Sequence, residues 1–313
     1  MPLVSIIIPA YNASTDIERC LESLAAMTFQ DFEVIVVDDG SEDDTWASIE
    51  KRAQRDARFA RSFRAPHAGL GPTRNRGLDI ALGTFVAFVD ADDYVEPGFA
   101  GAPCALACTQ EADLVCFGSW WEFPDRQECH LPTCRPGMNP REALLAMTPM
   151  VWDKLYRRQF LQSRKLGFPA IYHEDEVFTP LLMAHTPALA VLQDPLYHYV
   201  RREQSITGLR VNRNSADVLQ AFRLVLERSR ACPEFRQELE FYAVRFLRWS
   251  ASRWAACQEP WALECQSQAV RLLDAIDHPR TDNPYLIRAR HGRRRRCADL
   301  GQRAIRCLQT LFS

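Results

Sequence analysis

Three short apolar runs, each ending in a polar cluster, constrain this chain more than any other feature. Val4-Ser5-Ile6-Ile7-Ile8 is rich in β-branched residues and is closed by Pro9. Phe32 to Val37 leads into Asp38-Asp39-Gly40-Ser41, and Phe85-Val86-Ala87-Phe88-Val89 leads into Asp90-Ala91-Asp92-Asp93. Near-continuous apolar runs of this length read as strands buried on both faces. Helical signals lie between them. Thr15-x-x-Glu18 has the spacing of a capping box, Ile17, Leu21 and Leu24 follow at helical spacing, and a second helix is expected over Asp44 to Ala57. Alternating strands and helices imply a parallel sheet with helices on both faces, and ligands of such sheets bind beyond the carboxyl ends of the strands. Tyr11-Asn12, Asp38-Asp39 and Asp90/Asp92/Asp93 all stand at such ends.

The rest of the chain continues the pattern. Ala112 to Gly118 is a candidate strand, and Asn139-Pro140-x-Glu142 is a helix start with a capping Asn, Pro at the first helical position and an acid near the dipole. A helix is expected over Val151 to Arg164, with Trp152 and Tyr156 four apart on its core face, and another from near Glu174. From Ser215 to Ile276 the pattern is helical throughout, with Trp249, Trp254 and Trp261 as packing residues. No internal repeat or low-complexity linker interrupts it, and Pro279 to Pro284 is the expected hinge before the tail.

Composition narrows the class. With 313 residues, 47% apolar and 25% charged, the chain is an ordinary globular protein of one large or two fused domains. Its 38 basic and 40 acidic side chains leave a formal charge of −2, so nothing drives the whole surface onto nucleic acid. No run approaches the roughly 20 apolar residues that cross a bilayer. Leu3 to Ala10 is too short for a signal peptide, and a cytoplasmic location is expected. The 11 cysteines are expected to be mainly free core thiols. Cys104-x3-Cys108 with Cys129, His130 and Cys134 lacks the tight pairs of a structural zinc site.

Chemistry concentrates in the acids. Asp90-x-Asp92 ends an apolar strand and enters a loop, where two carboxylates can converge on one hard divalent cation, Mg²⁺ or Mn²⁺. A cation held this way keeps positions open for phosphate oxygens, which points to a nucleoside diphosphate. A D-x-D by itself is more often a solvated turn; the apolar strand before it and a second Asp pair on a neighbouring strand favour a site. His173-Glu174-Asp175-Glu176 crowds three acids at a helix start, which raises proton affinity as a base working near neutrality needs. The plain reading of the same run is an acidic first turn facing the helix dipole. Trp120 and Trp121 can serve a sugar face or the core.

The series Val-Ser-Ile-Ile-Ile-Pro-Ala-Tyr-Asn (4–12), Val-Val-Asp-Asp-Gly-Ser (36–41), Thr-Arg-Asn-Arg-Gly (73–77) and Phe-Val-Asp-Ala-Asp-Asp (88–93) resembles the family 2 glycosyltransferases, inverting enzymes with a GT-A fold that use nucleotide sugars. It continues at Lys154-Leu155-Tyr156-Arg157, His173-Glu174-Asp175-Glu176-Val177-Phe178 and Arg202-x-x-Ser205-Ile206-Thr207. The later part looks most like bacterial enzymes of surface polysaccharide, capsule or lipopolysaccharide synthesis. The resemblance implies a GT-A-like α/β fold with a mainly parallel central sheet and a helical C-terminal extension. It implies a catalytic domain over 1–210 (nucleotide-sugar half 1–100, acceptor half 101–210), an extension over 211–280 and a basic amphipathic tail over 281–313. Pro9, Ala10, Tyr11 and Asn12 would line the base pocket, Asp39 would accept a hydrogen bond from the base, a uracil N–H of a uridine nucleotide, and Arg74 would sit near base or phosphate. Asp90 would contact ribose or the metal shell, Asp92 would be the direct metal ligand, and Asp93 would support the sugar. Asp175, beside Glu174, would be the catalytic base, and Arg202 and Ser205 would lie near the diphosphate. The chain departs from the family pattern at Pro72 and at His173, where relatives usually have Gly.

The tail differs in kind. Arg288, Arg290 and Arg293 to Arg296 precede Leu300, Ala304, Leu308, Leu311 and Phe312, a basic cluster before an apolar stripe at helical spacing. Such a segment, Arg288 to Phe312, suits a membrane surface and an acceptor that is a glycan or lipid-linked saccharide. A solvated tail or a helix for a partner subunit fits it as well; nucleic acid fits poorly, since no aromatics are interleaved. Two other functions compete with sugar transfer. A sugar nucleotidyltransferase would need a Gly-rich loop after the first strand, where this chain has Pro-Ala-Tyr-Asn. A non-catalytic nucleotide-sugar-binding protein would have less reason to keep Asp39, Asp90, Asp92 and Asp175.

Overall fold

A computed structural model describes residues 1–201, 211–257, 259–276 and 281–294. The strands are β1 (Val4–Ala10), β2 (Phe32–Asp38), β3 (Phe63–Arg64), β4 (Phe85–Phe88), β5 (Tyr94–Val95), β6 (Leu114–Glu122), β7 (Gln127–His130), β8 (Lys154–Arg157) and β9 (Leu189–Val200). The helices are α1 (Ile17–Ala25), α2 (Thr45–Arg55), α3 (Leu70–Ile80), α4 (Gly101–Thr109), α5 (Pro140–Ala146), α6 (Arg158–Ser163), α7 (Asp175–Ala184), α8 (Val218–Arg228), α9 (Arg236–Ala256), α10 (Pro260–Ile276) and α11 (Pro284–Arg294). One sheet has the order β3-β2-β1-β4-β8-β6-β9-β5, with β7 hairpinned onto β6. Its two longest ladders, β1–β2 (Val4↔Phe32 to Ala10↔Asp38) and β6–β9, are parallel. β8 runs antiparallel to both its neighbours, β4 and β6, and joins the two halves. This is the expected α/β architecture, a mainly parallel sheet flanked by helices with a helical extension behind it.

Strand periodicity divides the core in two. Ile7, Ile35, Val37, Val86 and Phe88 face one side, and Val4, Ile6, Ile8, Val34, Val36 and Ala87 face the other. Both faces are covered, which is why the runs lack apolar–polar alternation. The first face is roofed by α7, α8 and α9, so the helical extension packs into the core of the sheet. Cys104 and Cys134 lie in opposite cores, and Cys129 is exposed.

Two local expectations are corrected. The helix expected over Val151 to Arg164 is β8 followed by the short α6. Trp152 and Tyr156 are both core residues but on opposite sides of the sheet, so their four-residue spacing is not a helical face. Pairing with β4 and β6 overrides the local pattern. At α1 the Thr15–Glu18 box does not close. Asp16 is the cap residue and makes no capping bond, while the Thr15 hydroxyl donates to Asp16 at 2.6 Å. Asn139 does cap α5, accepting from the Glu142 N–H.

α3 sits unusually close to the sheet. A Cβ on Gly77 would come 2.4 Å from Cγ2 of Ile7 on β1. Asn75, on the same helix, donates to the Phe168 carbonyl at 2.8 Å and accepts from its N–H at 2.9 Å, which ties α3 to the segment before α7.

Candidate active site

A cleft of about 960 Å³ opens at the carboxyl ends of β1, β2 and β4. Pro9, Ala10, Tyr11, Asn12, Asp39, Arg74, Asp90, Asp92, Glu174 and Asp175 all line it, so motifs far apart in sequence meet at one place. Its far wall comes from α9. Arg202 and Ser205, two further sequence candidates, lie outside the described residues, as does the tail beyond residue 294.

On the β1–β2 side, half-exposed Tyr11 packs against His67 with ring centroids 4.4 Å apart. Asn12, at φ 48°, accepts from the Glu42 N–H at 2.9 Å and fixes the turn that follows Asp39. Asp38 is fully buried and holds the Ser41 hydroxyl, so it is part of the turn. Asp39 is also buried and already has partners. Its carboxylate accepts from the N–H groups of Ala68 (2.9 and 3.1 Å) and Gly69 (2.8 Å) and from Arg76 at 3.2 Å, with His67 Nδ1 at 3.0 Å. A base N–H therefore reaches Asp39 only by sharing it with the 67–69 loop or displacing that loop.

Thr73-Arg74-Asn75-Arg76-Gly77 forms the middle of α3, where sequence patterning had no apolar stripe to mark a helix. The helix carries Arg74 into the cleft floor. Arg74 is 3% exposed; its Nη2 donates to Asp90 at 2.6 Å and its Nη1 to Glu174. Burial opposes the charge on Arg74, but Asp90 and Glu174 beside it raise its pKa on balance. Arg74 is thus committed to two acids rather than standing free for a phosphate. Next to this bridge is Asp175, the first residue of α7, half-buried on the cleft. Burial, then the neighbouring Glu174, push its carboxyl up to about 7, against the opposing pull of Arg74. Glu174 is raised too, chiefly by burial. His173, at φ 62°, lies against Phe246, and burial pushes its imidazole down to about 4, so it is neutral at pH 7.

The acidic turn after β4 separates into roles. Asp90 is a quarter exposed, and its Oδ2 has no partner among the described residues. Asp92 lines the cleft beside it. These hard oxygens on one turn fit a hard divalent cation that needs only one or two protein ligands. Among the described residues no group of three or more potential ligands gathers as a closed metal cage. Asp93 does not line the cleft, contrary to its expected contact with the sugar. It is 1% exposed, accepts from Tyr197 Oη at 2.6 Å and from the Val200 N–H at 2.8 Å, and is pushed well up by burial and by Asp92 and Asp90. Tyr197 Oη in turn accepts from the Asp90 N–H at 3.1 Å, so Asp93 and Tyr197 brace the turn from below.

Tyr197, which sequence reasoning missed, and several residues to which it assigned no definite role complete the site. Tyr197 stacks on Trp152 at 4.4 Å. Lys154, 1% exposed, donates to the Thr148 and Met150 carbonyls and to Asp153, and so pins the 148–153 segment of the cleft wall. The Lys-Leu-Tyr-Arg motif was the available signal, but it carried no role. Of the tryptophan pair, Trp121 is buried at the cleft wall and Trp120 is not among the lining residues. Glu176, behind Asp175, accepts from the Tyr242 hydroxyl on α9.

The chain matches the family model described as glycosyl transferase family 2 over residues 5–170. It is 31% identical over 265 residues to EpsH of Bacillus subtilis (strain 168), which is named as a glycosyltransferase, covering 78% of this chain and 74% of EpsH. The crystal structure of Staphylococcus aureus TarS residues 1–349 in complex with UDP-GlcNAc is similar, with a TM-score of 0.71 at 23% identity, covering 87% of this chain and 80% of that one. The mannosyltransferase PcManGT of Pyrobaculum calidifontis, in complex with GDP-Man and Mn²⁺, gives a TM-score of 0.57 at 18% identity, covering 93% and 86%.

Proposed function

The chain belongs to the family 2 glycosyltransferases, and from that premise we propose that it inverts the anomeric centre as it moves a sugar from a UDP-linked donor to a hydroxyl of a glycan or lipid-linked saccharide. In this reading residues 1–100 hold the donor, residues 101–210 the acceptor, and the product is a bacterial surface polysaccharide.

The observation that carries the reading is the placement of Asp175. A half-buried carboxyl titrating near 7 stands on the cleft, joined through Glu174 and the Arg74 bridge to the Asp90 turn. A base with that affinity takes the proton of an attacking hydroxyl at neutral pH. Asp175 then holds the proton while the acceptor oxygen closes on the anomeric carbon opposite the leaving diphosphate. Asp92 and Asp90 would hold Mn²⁺ or Mg²⁺, which supplies positive charge to the leaving diphosphate. Mn²⁺ in the PcManGT complex supports that assignment, and UDP-GlcNAc in the TarS complex supports a uridine donor. The Tyr11–His67 pair offers an aromatic surface for the base.

No helix among the described residues is long and apolar enough to cross a membrane. The basic run beginning at Arg288 supports contact with an anionic membrane surface, where a lipid-linked acceptor would be met.

The test is a UDP-release assay with a panel of UDP-sugars, Mn²⁺ and saccharide acceptors, beside thermal-shift measurement with UDP, GDP, TDP and CMP. Transfer with one UDP-sugar, lost in Asp175→Asn while the UDP-dependent shift remains, is the expected result. A shift with GDP alone overturns the uridine assignment.

A further inference from the structure

The wall of the cleft opposite the donor side is built by one face of α9. Phe246, Trp249, Ser250 and Arg253 lie at i, i+3, i+4 and i+7, and all four line the cleft. Phe246 and Trp249 stack with centroids 6.0 Å apart at 17°, and the Arg253 guanidinium lies 4.8 Å from the Trp249 ring centroid. The sequence pattern had assigned Trp249 to packing, but it is only half-buried.

Two polar groups on this face lack a hydrogen-bond or ion-pair partner among the described residues. Ser250 is 3% exposed, and its Oγ has no hydrogen-bond partner among the described residues. Buried hydroxyls are rarely left so. Arg253, half-buried, has no carboxylate within ion-pair distance among the described residues. Asp217, which also lines the cleft, accepts from the Tyr172 N–H at 2.9 Å. Arg253 is also opposed. Burial, and after it the neighbouring Arg201, push its guanidinium below the ordinary value. A guanidinium held half-buried on the cleft wall is eased by an anion beside it. The aromatic pair supplies the apolar surface that the faces of a pyranose ring pack against.

We propose that this face of α9 is an acceptor subsite for an anionic saccharide, a sugar ring on Trp249 and Phe246 whose carboxylate or phosphate is taken by Arg253 and whose hydroxyl meets Ser250. The assignment rests on the glycosyltransferase reading of the cleft and names the charge class of its acceptor.

The experiment is saturation-transfer NMR on the full chain with glucuronate, glucose 6-phosphate and glucose as probes. UDP and Mg²⁺ are present at saturation, so that the donor site is filled before any anion is scored. The expected result is that one or both anionic probes bind at least tenfold more tightly than glucose, a difference of about 1.4 kcal/mol. Arg253→Gln should abolish that preference, Arg253→Lys should keep most of it, and Trp249→Ala should weaken all three probes. Glucuronate alone gaining identifies a uronate, and glucose 6-phosphate alone a phosphate. Equal binding of glucose and the anions, or an intact preference in Arg253→Gln, overturns the proposal. The UDP-dependent thermal shift, recorded on the same samples, reports separately on the donor site and on folding of each variant: its absence from the wild type refutes the donor reading, whatever the probes do.

Discussion

Arg74 Nη2 stands 2.6 Å from Asp90 Oδ1, while Nη1 of the same guanidinium holds Glu174. One buried cation thereby links the Asp90 turn to the residue beside Asp175. In Arg74→Met, Glu174 is left buried without its counter-charge. Loss of one partner from a buried pair costs about 3–5 kcal/mol. A urea titration should show that loss, with sugar transfer abolished. Arg74→Lys keeps the charge without the two-pronged geometry and should recover stability better than activity. Wild-type stability in Arg74→Met would remove the bridge from the account.

The pH profile follows from Asp175. Its carboxyl is raised to about 7, so it is protonated and inactive as a base below that pH and ionised above it. kcat/KM should therefore rise with pH, with a midpoint about 7, and level off on the alkaline side. His173 cannot supply this limb, since burial pushes it down to about 4. Asp175→Asn should lose the limb and roughly 10²–10⁴-fold in rate. A limb that survives the substitution assigns the base elsewhere.

Removal of metal should act through Asp92. A nucleotide present with Mn²⁺ at about a hundred times its dissociation constant adds about 2.7 kcal/mol to stability. EDTA should erase most of that gain in the wild type, and Asp92→Asn should erase it with Mn²⁺ still present. A full Mn²⁺-dependent shift in Asp92→Asn would place the cation on other residues.

Tyr197→Phe tests the support beneath the acidic turn. The substitution deprives Asp93 of a donor at 2.6 Å and the Asp90 N–H of an acceptor at 3.1 Å. Unmet buried groups of this kind cost about 1–3 kcal/mol. Donor affinity should fall with stability, whereas a purely structural hydroxyl would lower the melting temperature and leave the UDP dissociation constant unchanged.

The legible parts of the molecule were those that local spacing encodes. β1, β2 and β4 announce themselves because burial on both faces leaves no polar break, and the acids at their ends fall where a sheet of this kind binds ligands. β8 was hidden because Trp152 and Tyr156 imitate a helical face while pointing to opposite cores. α3 was hidden because Gly71, Pro72, Arg74 and Gly77 give it no apolar stripe; contacts of Asn75 and Gly77 with distant segments hold it. Tyr197 with Asp93, Glu176 with Tyr242, and Arg74 with Glu174 are partners separated by 104, 66 and 100 residues. No short window of sequence carries such pairings, which is why candidate acids were visible and their commitments were not.

The close seating of α3 has a bearing on charge. Where Gly77 meets Ile7, the helix rests directly on the sheet, and Arg74 is held one turn back along it. The contact works as a fulcrum. A methyl group added there would lift the helix and swing the guanidinium away from both acids, although nothing at that point touches a ligand. The electrostatics of the cleft floor is therefore set in part by the absence of a single carbon in an apolar seam.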